Sequence, residues 1–191
     1  MFQRSQIITR SEGINKIVAQ SDKIHKDRRL AGAILINITV KKNSMTIGIL
    51  YREELKEYDF GPGHPFRGDR YIAFYNFLTK NLPANETYKI LKAVPATEED
   101  LLLICHRTYI EVTTQYYRAA HLGLTYAGDF FMFHSADNMP VGRPGKIEEA
   151  ARLVVGQGKK ACDLVQAGEF KKVISIGGGL HHAKSSYGEG F

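Results

Sequence analysis

The chain has 191 residues, 43% of them hydrophobic, with two cysteines and a formal net charge of +6. This is material for one packed domain. With no run of about 18 apolar residues it offers no membrane span, and the opening MFQRSQIITR does not read as a secretory signal. Cys105 and Cys162 lack CxxC spacing and read as two buried thiols of a reducing cytoplasm, not as a disulfide or metal pair.

The charge is concentrated at one end. Residues 1–44 carry nine Lys/Arg against three acids, which accounts for the whole +6 and leaves residues 45–191 neutral. Without a closely packed basic run or interleaved aromatics beyond Phe2, this segment reads as a basic extension, not a nucleic-acid-binding arm.

Within 1–44, LAGAILINITV (30–40) has strand composition. The character changes at Met45, a candidate natural start, and the domain is expected over 45–191. TIGILY (46–51) reads as a short apolar strand of a parallel sheet. DFGPGHPFRGD (59–69) follows as an ordered loop, because its glycines and prolines forbid regular structure. The spacing of Ile72, Phe74 or Tyr75, and Leu78 predicts a helix over 70–81, and YKILKAV (88–94) a second strand. Thr97 is a good N-cap with three acids behind it, and Asp100 takes the place of the usual capping-box Glu. LLLICH is expected to fill that helix and TYIEVTTQYYRAA to form the next one.

Residues 121–145 read as loop. A long helix over 146–168 has apolar residues at 147, 150, 151, 154, 161 and 165, with Gly168 as its C-cap. Gly156 and Gly158 weaken it by roughly 1 kcal/mol each against Ala, which suggests close backbone packing at both. KKVISIGGG (171–179) is the last strand. Strands alternating with helices predict an α/β fold: a mostly parallel sheet flanked by helices in three layers.

The chemistry concentrates after that strand, in GGGLHHAKSSYGEGF (177–191). Ligands of open parallel sheets bind just beyond the carboxyl ends of strands. A histidine pair there, His181 and His182, suits general acid–base work near neutral pH. The glycine run could instead cradle phosphate, but it fails GxGxxG and lacks GK[ST]. The histidines could also be structural hydrogen-bonders. His64, in a GHP context, reads as structuring its loop, and His25, His106, His121 and His134 as surface or structural, since none shows ligand spacing to another.

GGGLHHAKSSYGEGF resembles the active-site segment of the arginase/deacetylase superfamily, in particular histone deacetylases, acetoin-utilization proteins and acetylpolyamine amidohydrolases. YREELKEYDFGPGHPFRGDR (51–70), PATEEDLLLICHRTYIEVT (95–113) and MPVGRPGKIEEAARLVVGQGKKACDLVQAG (139–168) resemble that family's preceding blocks, in its order. The resemblance covers roughly residues 46–191. It implies the family's fold, present in part, and a zinc-dependent deacetylase that hydrolyses acetyl-lysine or acetylpolyamine amides to acetate and amine.

By the resemblance, His182 is the main general base and acid and His181 its electrostatic support. Gly190 meets the substrate amide through its carbonyl, Phe191 is an aromatic wall of the acyl tunnel, and Arg70 stands near an internal channel. The rim Asp of a D-x-P turn corresponds to Asp137 by chemistry and to Asn138 by spacing. The family's zinc ligands, an Asp and a His of a D-x-H strand end and a later Asp, follow the position of Phe191. The resemblance therefore implies that the chain carries the acid–base pair and none of the metal ligands. The expected partners are an acetylated amine and either a missing carboxyl-terminal half or a second copy, since a half-sheet has an open edge. The alternatives are a non-catalytic scaffold or interaction fragment, or one half of a split deacetylase.

Overall fold

A computed structural model describes residues 45–82, 87–125, 130–178, 182 and 184–190, all within the unit Lys42–Phe191. The sequence-predicted strand over 30–40 lies outside the described residues. Three strands form one parallel sheet: β1 (Met45–Leu50), β2 (Tyr88–Leu91) and β3 (Phe170–Ser175), in the order β2-β1-β3. The middle strand pairs Ile47 with Tyr88 and Ile49 with Ile90 on one side, and Ile47 with Lys172 and Ile49 with Ile174 on the other. It is the apolar one because neighbours cover both of its edges. Ile49 is 2% exposed and Leu50 not at all.

Five helices accompany the sheet: α1 (Asp69–Asn81), α2 (Glu98–Leu102), α3 (Arg107–His121), α4 (Phe130–Phe133) and α5 (Ile147–Gln166). The core joins Ile49 of the sheet to Tyr71 of α1, Tyr117 of α3, Phe130 of α4 and Leu153 of α5, with Leu55, Tyr58 and Phe60 between them. Among the described residues no helix is long and apolar enough to cross a membrane.

Four readings of the sequence need correction. LLLICH does not fill α2. The helix stops at Leu102, Leu103 and Ile104 are exposed, and the His106 N–H bonds the carbonyl of Ser185 instead of continuing the helix. Residues 121–145 are not all loop, since α4 and a short 3₁₀ turn, Ala136–Asn138, stand there. On α5 the buried face carries Leu153, Gln157 and Leu164, while Val165 is exposed; Gln157, fully buried, donates to the carbonyl of Ile176 at 2.7 Å. Cys162 is exposed, so it is not one of two buried thiols.

The two glycines of α5 differ. A Cβ at Gly156 would lie 2.0 Å from the carbonyl oxygen of Val94, whereas one at Gly158 would meet nothing within 4 Å. Close packing holds for the first only. The second strand is shorter than expected, ending at Leu91, while the cap at Thr97 stands as expected. The Thr97 side chain accepts from the Asp100 N–H at 3.2 Å, and the Asp100 carboxylate accepts from the Thr97 N–H at 3.0 Å, closing the capping box.

Candidate active site

The loop of residues 59–69 is organised by Asp59. Its carboxylate accepts the Gly61 and Gly68 N–H groups, each at 2.8 Å, and Arg67 Nε at 3.1 Å. Burial works against the charged carboxylate, but these donors outweigh it and hold Asp59 below the ordinary value. Gly61 is required where it stands: its φ is +99°, and a Cβ there would lie 1.8 Å from the carbonyl oxygen of Val141. The loop thereby lies against the segment after α4, and the Val141 N–H bonds the carbonyl of Phe60 at 2.7 Å.

His64 completes that junction. It is 8% exposed and stacked 4.7 Å from Phe60. Its Nδ1 accepts the Phe66 N–H at 3.0 Å, and its Nε2 donates to the carbonyl of Asp137 at 3.1 Å. His64 thus structures two loops at once.

The turn Ala136–Asn138 then meets the segment that follows the histidine pair. Just before the turn, Phe133 and Ser135 pair with Gly188: the Ser135 N–H donates to the Gly188 carbonyl at 2.9 Å, and the Gly188 N–H donates to the Phe133 carbonyl at 2.8 Å. Asp137 accepts the Gly190 N–H at 2.9 Å, and the Asn138 side-chain amide donates to the Gly190 carbonyl. Both candidates for the rim position therefore reach Gly190. Asp137 is exposed and Asn138 is buried. The Ser135 hydroxyl, then Gly190, hold the Asp137 carboxyl below its ordinary value.

His182 stands at the far side of Gly190. A Cβ at Gly190 would lie 2.5 Å from His182 Cδ2, and Gly190 has φ +71°. Only glycine lets backbone and imidazole approach this closely. The His182 side chain is 48% exposed, and its Nδ1 lies 3.9 Å from Glu189, which Lys184 engages at 2.8 Å. The Lys184 ammonium, chiefly, holds the Glu189 carboxyl below its ordinary value. His182, Glu189, Gly188, His134 and Asn138 share one cavity of about 240 Å³, whose other walls include Leu101, Ile110, Ala151 and Val155. The arrangement offers an accessible imidazole with a carboxylate beside it and, next to it in the fold, the Gly190 carbonyl held by Asn138, groups able to move a proton and to orient an amide.

Of the residues singled out in the sequence, His182, Gly190, Asp137 and Asn138 are brought together. Arg70 is not among them. It is exposed, donates to the carbonyls of Arg67 and Pro65, and lies 4.1 Å over the Phe66 ring. His181 and Phe191 lie outside the described residues. His134, expected to be surface or structural, is the latter: it is 3% exposed and stands on the cavity wall. No spacing signals it, because its partner Thr113 is 21 residues away. Among the described residues no group of three or more His, Cys, Asp or Glu side chains is placed to hold a metal ion.

Comparison with known proteins shows the family and the fold. The histone deacetylase domain matches residues 64–191. The acetoin utilization protein AcuC of Bacillus subtilis is 31% identical over 144 residues, covering 74% of this chain and 35% of that protein. The histone deacetylase RPD3 of Saccharomyces cerevisiae is 28% identical over 165 residues, covering 81% of this chain and 35% of that protein. The crystal structure of an HDAC homolog from Aquifex aeolicus shares the fold, with a TM-score of 0.60 at 20% identity over 74% of this chain and 36% of that one. The chain spans about a third of the length of the relatives it matches. With the domain match over residues 64–191, this chain belongs to the histone deacetylase family.

Proposed function

We propose that this chain supplies the proton-handling part of a zinc-dependent deacetylase acting on acetyl-lysine or acetylpolyamine amides. The observation that carries the reading is the accessible imidazole of His182, set against Gly190 at the wall of the cavity. In this reading His182 takes a proton from the attacking water and returns one to the leaving amine, with His181 as its electrostatic support. The Gly190 carbonyl accepts the substrate N–H, Asp137 is the exposed rim carboxylate that grips the substrate backbone, and Phe191 is a wall of the acyl tunnel. Zinc, when bound, would polarise the amide carbonyl. In the family's pattern its ligands follow the position of Phe191, and in this reading residues 1–191 by themselves are inactive.

The companion proposal concerns partners. Strands β2 and β3 each have one edge with no strand partner among the described residues, and Leu103, Ile104 and Val94 are at least three-quarters exposed. Such edges invite association. The isolated chain therefore pairs with a second copy or with a carboxyl-terminal half.

The test is to assay deacetylation of an acetyl-lysine peptide and zinc content for residues 1–191 and for a polypeptide of the full length of the relatives. The longer protein should turn over and retain zinc, and the short one should do neither. Zinc-dependent turnover by residues 1–191 alone would overturn the placement of the ligands. Sedimentation velocity should show the short chain self-associating, and a monomer that stays monomeric with rising concentration removes the partner proposal.

A further inference from the structure

His134 and Asn138 are both buried, at 3% and 7% exposure, and the role of each of their polar atoms can be worked out. The Gly190 carbonyl can only accept. The Asn138 atom that faces it is therefore the amide nitrogen, which donates. This turns Asn138 Oδ1 towards His134 Nδ1, 3.3 Å away. A carbonyl oxygen can only accept, so Nδ1 carries a proton. Burial disfavours the imidazolium and pushes His134 below the ordinary histidine value, so the ring is neutral and Nε2 is bare. Thr113 Oγ, 2.8 Å from Nε2, donates to it. One directed relay results: Thr113 hydroxyl to His134 Nε2, His134 Nδ1–H to Asn138 Oδ1, and Asn138 Nδ2–H to the Gly190 carbonyl.

The relay is anchored at both ends. The His134 ring is stacked on Phe130, with centroids 4.9 Å apart and planes 13° apart, and Tyr117 meets it edge-on at 5.7 Å. It cannot turn over without unpacking the core. Flipping the Asn138 amide would set its oxygen against the Gly190 oxygen. At the other end Gly190 touches the His182 ring, and its N–H is held separately by Asp137.

We infer that His134, fixed as its Nδ1–H tautomer, is a positioning residue: through Asn138 it sets the carbonyl of Gly190 and, with it, the place of the His182 ring. The geometry stands whether or not His182 moves a proton. Only the consequence for turnover rests on the proposed function.

The test uses the 191-residue chain labelled with ¹⁵N and ¹³C at histidine and glycine, and needs no activity. In the unsubstituted chain His134 should show a protonated Nδ1 and a bare Nε2 by its ¹⁵N shifts, with a slowly exchanging Nδ1 proton. A cross-relaxation peak should join Gly190 Hα to His182 Hδ2. His134→Phe keeps the stacked ring and removes the relay, and Asn138→Asp removes the donor to Gly190. Both should lose that peak. His134→Asn, which keeps a donor near the Nδ1 position, should recover it even though it packs less well. A protonated Nε2 with bare Nδ1 in the unsubstituted chain overturns the inference, as does an unchanged Gly190–His182 peak in His134→Phe. If a variant fails to fold, the tautomer of the unsubstituted chain decides. Turnover by the full-length protein is a separate readout, so its failure would not be confused with failure of the relay.

Discussion

Two histidines on the same cavity are built in opposite ways. His134 is 3% exposed, with both ring nitrogens engaged and aromatic rings around it. His182 is about half exposed, with a carboxylate 3.9 Å from Nδ1. The first sits where charging is costly, so it holds one protonation state and one orientation. The second remains in contact with water. Burial fixes the first imidazole, exposure leaves the second accessible to water, and Gly190 is the point where the two meet.

The largest expected effect separates reaction from stability. In a full-length protein that turns over an acetyl-lysine peptide, His182→Ala should lower kcat by roughly 10²–10⁴-fold, as loss of general acid–base catalysis does. The same substitution in the 191-residue chain should change unfolding free energy by no more than about 0.5 kcal/mol, since the side chain is exposed. Near-normal turnover would show that the accessible histidine is not the reactive one.

The closed region should respond in the reverse manner. Gly156→Ala forces a Cβ against the Val94 carbonyl and should cost about 1–3 kcal/mol, read by urea denaturation. Gly158→Ala, two residues along and facing open space, should instead stabilise by up to about 1 kcal/mol. Equal responses at the two positions would mean that α5 is not seated as described.

Acid should distinguish His134 in its own way. Its folded-state value is lowered by burial, so in the window below the ordinary value of about 6.5 the unfolded chain takes up a proton that the native ring refuses. Stability is full above that window and falls as pH drops through it. His134→Phe should remove this part of the pH dependence, measured as the difference between the two stability curves. A difference that is flat from pH 7 to pH 5 would contradict the burial argument.

The smallest effect tests the cavity wall. Thr97→Ala breaks the capping box at the start of α2, whose Leu101 lines the cavity, and should cost about 1 kcal/mol. Thermal unfolding of the chain would show it as a modest drop, and an unchanged midpoint would mean that the cap contributes nothing there.

By itself the sequence determined what acts over a few residues. The strand over TIGILY, the helix after DFGPGHPFRGD, the cap at Thr97 and the long helix ending near Gly168 were all legible. Each depends on apolar spacing or on a cap within one or two turns. The motif around His181 and His182 was legible as a resemblance. What only the tertiary structure decided were matches between distant segments. Asn138 finds the Gly190 carbonyl 52 residues away, and His134 finds Thr113 across 21. Gly156 is pressed on Val94 while Gly158 is open, although the two read alike in sequence. The physical reason is one of range. Periodicity and capping are satisfied within a single element, whereas the partner of a buried polar atom, or the neighbour that forbids a Cβ, is chosen by how the elements pack.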